Sequence, residues 1–266
     1  MIIAADDLQV TNPVVARAID QLEAGPVRAL TRRCLAAGAG AIDINPGPLA
    51  RNPEEKMVFL VETVQAETDL PLLLDTTNPR ALSAGLEVIR NPAIINGFSL
   101  DPARLEKMLP LAAAHEADII GYLLYPDSRV PVDENECLEV AAELFEAFRQ
   151  SGINLERLLV DPVVAPLAWE TGADHNQALP SVIRRLPELF GFPVRTIAGI
   201  SNLTAGQPGY DKSVRLELAF LPMLAEAGLD MALLNMNHQE TIRCARDCDL
   251  LLRPGVFTWE SLNQPG

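Results

Sequence analysis

The stretch PLLLDTTN, from Pro71 to Asn78, is followed by AIIN, from Ala93 to Asn96, and in both an apolar run gives way to Asp or Asn. Short apolar runs bounded by turn residues are typical of strands buried on both faces, as in a parallel sheet. Three more stretches have this form: AIDIN (Ala41–Asn45), LLVDP (Leu158–Pro162) and AGISN (Ala198–Asn202). The recurrence predicts parallel strands with polar side chains at their carboxyl ends.

Strand-like runs and amphipathic helical stretches alternate along the whole chain. The predicted strands are Ile2–Ala5, Ala41–Ile44, Pro71–Leu74, Ala93–Ile95, Asp118–Leu124, Leu158–Val160, Thr196–Ile200 and Met231–Leu234. The clearest helical stretches, with apolar residues at three- and four-residue steps, are Pro53–Ala66, Pro102–His115, Asn135–Arg149 and Ser213–Ala227. This alternation predicts an α/β fold, a single (β/α)8 TIM barrel whose ligand site lies at the C-terminal ends of the strands. Because no composition shift marks a linker, we expect residues 1–266 to form one domain.

Four predicted helix starts place a capping side chain directly before a proline. They are Asn12-Pro13, Asn52-Pro53, Asn78-Pro79 and Asp101-Pro102. A side-chain oxygen at this position accepts an unpaired backbone N–H of the first turn, and proline at the first helical position loses no hydrogen bond. We therefore interpret all four polar residues as N-caps.

The composition narrows the class of protein. The chain has 266 residues, is 48% hydrophobic and carries a formal net charge of −15 at pH 7. An acidic chain without a basic stripe argues against nucleic acid as a partner. No apolar run reaches the roughly 18 residues of a membrane span, and the start MIIAADDLQV lacks the features of a signal peptide. We expect a cytoplasmic protein that does not bind membranes.

The cysteines and histidines, which often bind metals, do not have the spacing of a metal site in this sequence. The four cysteines have the spacing of neither a disulfide framework nor a zinc site. His115, His175 and His238 have no metal-like partner at helical spacing and are interpreted as helix caps or surface residues. No metal site is predicted.

The polar residues at the strand ends are the candidate site. A buried carboxylate such as Asp75 or Asp161 must be paired or hydrogen-bonded, and paired N–H donors of a ligand would satisfy it. The amide of Asn96 both donates and accepts, so it can match the lactam edge of a heterocycle. This set favours a ligand rich in N–H donors and ring nitrogens, such as a pterin or a purine, over a phosphate.

Two further strand ends contribute to the same candidate site. Asp43 and Asn45 end the second strand, and Ser201 and Asn202 end the seventh. The segment Leu203–Lys212 then has the length and glycine content of a loop that could close over a substrate.

In this order the strand ends resemble those of the pterin-binding methyltransferases, which move a methyl group between methyltetrahydrofolate and a corrinoid protein. The resemblance runs from about Asp43 to about Leu252. TGADHNQ and GLDMALLN are also similar to segments of the folate domain of cobalamin-dependent methionine synthase. The resemblance to these methyltransferases implies that the pterin substrate is methyltetrahydrofolate or tetrahydrofolate and that a partner protein carries a corrinoid (cobalamin). It also implies a homodimer and a place in one-carbon metabolism.

The resemblance also implies roles for individual residues. Asp75, Asn96 and Asp161 would hold the pterin ring, and Asn202 would hydrogen-bond the nitrogen that carries the methyl group. Asn202 and Asp161 are thus the candidate catalytic residues. A tertiary amine is a poor leaving group, so a hydrogen bond that strengthens in the transition state would speed the transfer. No protein nucleophile is needed, because cobalt is the nucleophile.

The chain departs from the family pattern in two places. The family's first strand typically ends Glu-Arg/Asn-Ile-Asn, whereas this chain has Asp6-Asp7-Leu8-Gln9. The family's basic residue after the seventh-strand loop has no single counterpart here, and Gln207, Lys212 and Arg215 are the candidates for contacts at the mouth or with the folate tail.

Two alternative functions stay open. Dihydropteroate synthase is a related pterin enzyme on the same barrel, but it recognises a pyrophosphate leaving group with Lys and Arg. The sixth and seventh strand ends here lack its Lys-bearing loop. The other alternative, a pterin-binding protein without catalysis, is suggested by the altered first strand.

Overall fold

The structure, a computed structural model, describes residues 1–49, 51–206 and 209–259. Eight parallel strands follow one another in chain order around a closed barrel, and the last strand pairs with the first. They are β1 Ile2–Gln9, β2 Ala41–Asn45, β3 Leu72–Asp75, β4 Ala93–Phe98, β5 Asp118–Tyr122, β6 Leu158–Asp161, β7 Arg195–Gly199 and β8 Met231–Leu234. The predicted TIM barrel is confirmed.

Helices surround the barrel. Those in the described residues are α1 Pro13–Gln21, α2 Ala24–Ala36, α3 Pro53–Gln65, α4 Pro79–Val88, α5 Pro102–Ala114, α6 Glu134–Gln150, α7 Gly172–Phe190, α8 Tyr210–Glu226 and α9 Gln239–Leu252. Two 3-10 turns, Leu155–Arg157 and Ile200–Thr204, flank β6 and β7. Within the part of the chain that the structure describes, no helix is both long and apolar enough to cross a membrane.

Alternation along each strand divides the apolar residues between two cores. In β3, Leu72 and Leu74 belong to the large core between strands and helices, whereas Leu73 belongs to the cluster inside the barrel. The residues of the inner cluster are Ala4, Ala41, Leu73, Ile94, Ile120, Leu159, Ile197, Met231 and Leu233. Successive side chains of a strand point to opposite faces, so both faces must be apolar. This explains the continuous apolar runs of the sequence.

Three of the four predicted N-caps are confirmed. The side chains of Asn12, Asn78 and Asp101 accept backbone N–H groups of the helices that follow them. The prediction for Asn52 is wrong. Its backbone is left-handed, with φ 48°, and its amide instead donates to Glu55 at 2.8 Å.

The first strand is longer than the sequence predicted. β1 runs to Gln9 because Leu8 and Gln9 pair with Ile44 and Asn45 of β2. The extension places two adjacent carboxylates, Asp6 and Asp7, within the barrel wall. Apolar patterning did not predict strand residues of this kind.

Candidate functional site

A ring of polar side chains lies directly above the apolar interior of the barrel. In β3, Leu73 is inside the barrel and Asp75 follows two residues later, so both face the same way. The same two-residue step leads from Ile94 to Asn96 in β4 and is repeated in other strands. The residues placed in this ring, hereafter the polar ring, are Asp6, Asp43, Asn45, Asp75, Asn96, Tyr122 and Asp161.

Side-chain hydrogen bonds join neighbours in the polar ring. The amide of Asn45 donates to Asp75 Oδ2 at 2.6 Å, and the amide of Asn96 donates to Asp43 Oδ1 at 3.4 Å. The hydroxyl of Tyr122 donates to Asn96 Oδ1. Tyr122 was not predicted from the sequence, although it follows the inward-facing Ile120 by two residues, as Asp75 follows Leu73.

Burial makes the carboxyl groups of the polar ring hold protons more tightly than usual. It raises the pKa of Asp161 to about 7 and that of Asp75 to about 6. Burial, and then the negative charges of Asp75 and Asp6, raise the pKa of Asp43 well above its ordinary value. The positive charge of Arg104 on α5, a residue not predicted from the sequence, opposes the rise in the pKa of Asp75. The polar ring therefore suits a ligand that brings N–H donors.

The loop after β6 is bonded tightly to Asp161. Asp161 Oδ1 accepts the backbone N–H of Val163 at 2.7 Å. Val163 has φ 65°, a left-handed conformation that is unusual for a β-branched residue. Its carbonyl oxygen lies 2.6 Å from Nε2 of His175 in the first turn of α7.

His175 and Asn176, near the start of α7, contact the backbone of this loop. His175 is fully buried, and its Nδ1 lies 2.7 Å from the carbonyl oxygen of Pro131. Asn176 accepts the N–H of Ala165 at 3.0 Å and donates to the carbonyl of Ala165 at 2.7 Å. The interpretation of His175 as a cap or surface residue is wrong, because it packs against two segments that are distant in sequence.

The other two histidines differ from each other. His115 lies at the C-cap of α5, as interpreted. His238 precedes α9 but makes no side-chain cap bond; its Nδ1 instead lies 2.8 Å from Oε2 of the buried Glu217. His238 thus occupies the N-cap position, as interpreted, but its side chain contacts Glu217 rather than a backbone N–H of the first turn.

The end of β7 brings two more candidate residues to the mouth. Ser201 donates its hydroxyl to Asp6 Oδ2 at 2.8 Å. Asn202 is exposed on the 3-10 turn, and a Cβ at Gly199 would lie 2.9 Å from its amide nitrogen. Glycine at 199 thus leaves room for that amide. The N–H of Leu167 bonds the carbonyl of Leu203 at 3.0 Å, which ties the loop after β6 to the turn that carries Asn202.

Of the predicted rim residues that the structure describes, neither Lys212 nor Arg215 lies in the polar ring. Gln207 lies outside the described residues. Lys212 and Arg215 are exposed in the first turns of α8. Lys212 lines a cavity of about 220 Å³ together with Leu167 and Leu203, beside rather than inside the polar ring.

Comparison with known proteins identifies a family. The sequence profile of the pterin binding enzymes matches residues 17–235. The chain is similar to the methylcorrinoid:tetrahydrofolate methyltransferase of Eubacterium limosum, with 23% identity over 95% of this chain and 91% of that protein. It is also similar to the methionine synthases of Mycobacterium tuberculosis and Mycobacterium leprae, with 24% and 26% identity over 74% of this chain. The matched region is only 17% of each methionine synthase.

Solved structures with a similar fold include dihydropteroate synthases. That of Stenotrophomonas maltophilia superposes with a TM-score of 0.70 over 96% of this chain and 94% of that chain, at 18% identity. That of Xanthomonas albilineans has a TM-score of 0.68 over 96% and 93% of the two chains, at 21% identity. At such identities the likeness concerns the fold alone. With the family profile spanning most of the barrel, however, this chain belongs to the pterin binding enzymes.

Proposed function

We propose that this protein transfers a methyl group between methyltetrahydrofolate, or a related pterin, and the cobalt of a corrinoid carried by a separate protein. The observation that carries the proposal is the polar ring, whose carboxylates and amides complement the N–H donors and lactam edge of a pterin. The similarity to the Eubacterium limosum methyltransferase extends over 95% of this chain and supports the same reaction class.

Each of two carboxylates in the polar ring has one oxygen engaged by the protein and one left for a ligand. Asp75 Oδ2 accepts the Asn45 amide, and Asp161 Oδ1 accepts the Val163 N–H. Among the described residues, no hydrogen bond engages the second oxygen of either carboxylate. Two acceptors held in this way can bind adjacent N–H groups of a pterin ring. Asn96, between them in strand order, can complete the lactam edge.

Asn202 is proposed to assist the bond-breaking step. When the methyl carbon leaves the pterin nitrogen, the electron pair of the N–C bond stays on that nitrogen. An amide N–H of Asn202 directed at the nitrogen stabilises this pair more in the transition state than in the bound substrate. The corrinoid cobalt supplies the nucleophile when the partner protein docks at the mouth.

Replacing Asn202 with alanine should slow methyl transfer about a hundredfold, as loss of a transition-state hydrogen-bond donor typically does, and should change pterin affinity little. Methyl transfer to free cob(I)alamin, followed by absorbance in single turnover, gives the rate, and calorimetry gives the affinity. Asn135→Ala, on an exposed position of α6, is the matched control. A variant that lost affinity but kept its rate would contradict this role.

Replacing Asp75 with alanine should mainly weaken pterin binding, by about tenfold to a hundredfold, because a hydrogen bond to a charged acceptor is lost. The same substitution leaves the Asn45 amide without its acceptor. Asn45→Ala separates that secondary effect from the loss of the carboxylate. Unchanged affinity in Asp75→Ala would place the pterin site elsewhere.

The function itself is tested on the wild-type protein. We expect micromolar binding of methyltetrahydrofolate and methyl transfer to a cobalt(I) corrinoid. The same preparation should be assayed for condensation of a pterin pyrophosphate with p-aminobenzoate. Formation of dihydropteroate would overturn the proposal in favour of the synthase, and binding without either reaction would favour a non-catalytic pterin-binding protein.

We also propose that the chain acts as one domain and pairs as a homodimer. Exposed apolar side chains on the outer surfaces of α7 and α8, namely Leu189, Leu216 and Met223, support pairing through these neighbouring helices. Apolar surface of this kind is buried when copies associate.

A further inference from the structure

Asp6 reaches into the mouth of the barrel from β1. Ser201, to which it is hydrogen-bonded at 2.8 Å, follows β7, and β8 lies between β1 and β7 in the barrel. The bond between Asp6 and Ser201 therefore spans the end of β8, at the mouth of the barrel. The negative charge of Asp6 also contributes to the raised pKa of Asp43, as expected if both face the same space.

Asp6 has one oxygen without a hydrogen-bond donor among the described residues, whereas both oxygens of the neighbouring Asp7 accept hydrogen bonds. Asp6 Oδ1 is buried and, among the described residues, has no hydrogen-bond partner. The two oxygens of Asp7 are both bonded, to the N–H of Met236 at 2.7 Å and to the amide of Asn237 at 2.8 Å. A buried carboxylate oxygen without a donor is costly. Asp7 therefore has a structural role, whereas Asp6 offers an acceptor to a ligand.

We propose that Asp6 is a specificity-determining residue of the pterin site, and that its Oδ1 accepts a hydrogen bond from an N–H of a reduced pterin ring. The inference rests on the proposed function. A tetrahydropterin carries N–H groups in its reduced ring. An oxidised pterin has nitrogen lone pairs at those positions, which cannot donate and which repel a carboxylate oxygen. Asp6 thus favours the reduced over the oxidised ring.

The bond to Ser201 gives Asp6 a second effect on the same site. Ser201 precedes Asn202 on the 3-10 turn, so Asp6 Oδ2 helps to hold that turn in place. The Asp6 carboxyl group thereby binds the reduced ring through one oxygen and, through the other, positions the turn that carries the proposed catalytic amide of Asn202.

The test compares tetrahydrofolate with folic acid, which share the same tail but differ in the oxidation state of the ring. Calorimetry on wild type and Asp6→Ala should give about a tenfold loss of affinity for tetrahydrofolate, the size expected for a hydrogen bond to a charged acceptor. Folic acid affinity should change less than about twofold, so the preference for the reduced ring should shrink. Asp7→Asn, a matched carboxylate on the same strand, should keep the wild-type preference.

Asp6→Asn provides a second variant of unchanged size if the alanine variant does not fold. It should lose preference in the same direction, because a neutral amide oxygen is a weaker acceptor than a carboxylate. A wild-type preference retained in both Asp6 variants would overturn the inference while leaving the proposed function intact. A folded wild-type protein that bound neither compound would instead contradict the proposed function, and this inference with it.

Discussion

Replacing Asp161 with asparagine is expected to stabilise the fold at pH 8 and to weaken pterin binding. Burial raises the pKa of Asp161 to about 7, although the bond from the Val163 N–H opposes the shift. The ionised form is therefore disfavoured in the folded protein relative to the unfolded chain. Asparagine has nearly the same shape, can keep an oxygen for the Val163 N–H and never ionises.

The sign of the pH dependence follows from proton linkage. Between the ordinary pKa of 3.8 and the folded value of about 7, the folded protein holds more protons at Asp161 than the unfolded chain does. The contribution of Asp161 to the free energy of unfolding is fully present below the ordinary pKa and is lost as pH rises through the folded value. The free energy of unfolding of Asp161→Asn should thus exceed that of wild type by up to about 4 kcal/mol at pH 8 and match it near pH 3.5.

Urea unfolding at a series of pH values measures this difference. Asp69→Asn, which removes a carboxylate at an exposed position outside the barrel, is the matched control. Equal stability of Asp161→Asn and wild type at pH 8 would mean that the Asp161 carboxylate is not penalised by burial. Pterin affinity should fall in the same variant, because the neutral amide cannot supply a charged acceptor.

Replacing His175 with alanine should lower the free energy of unfolding by about 3 kcal/mol, because polar groups that are buried with the imidazole lose their partners. The ring fills the space between the Pro131 and Val163 carbonyls at 2.7 and 2.6 Å and is fully buried. Its loss also removes the support of the left-handed Val163.

Urea unfolding at pH 7 tests the prediction for His175. His115→Ala, at the C-cap of α5, changes the same residue type outside this contact and should cost less than about 1 kcal/mol. If the two variants were equally stable, His175 would not be an essential support of the loop after β6.

The barrel and much of the polar ring were predictable because both depend on local periodicity. In PLLLDTTN and AIIN, the alternation that buries Leu73 and Ile94 also directs Asp75 and Asn96 into the mouth. Tyr122 follows the same alternation in β5, but its aromatic side chain is largely apolar and does not stand out from the apolar run that precedes it. Its place in the polar ring was therefore missed.

What the sequence could not supply depends on contacts between distant residues. His175 is buried by the loops that contain Pro131 and Val163, and nothing in TGADHNQ indicates those partners. Asn52 resembles the three true caps in sequence, yet its left-handed backbone directs its amide to Glu55. The contacts of the polar ring with a pterin stay predictions.

The loop between β6 and α7 links the two residues proposed to act in catalysis. Asp161 holds Val163, Asn176 holds Ala165, and the Leu167 N–H bonds the Leu203 carbonyl beside Asn202. The covalent chain and these hydrogen bonds thus set the spacing between Asp161 and the backbone at Asn202 before any substrate arrives. Little reorganisation free energy then remains to be supplied during the reaction, and a partner that docks on this loop loses little conformational entropy by ordering it.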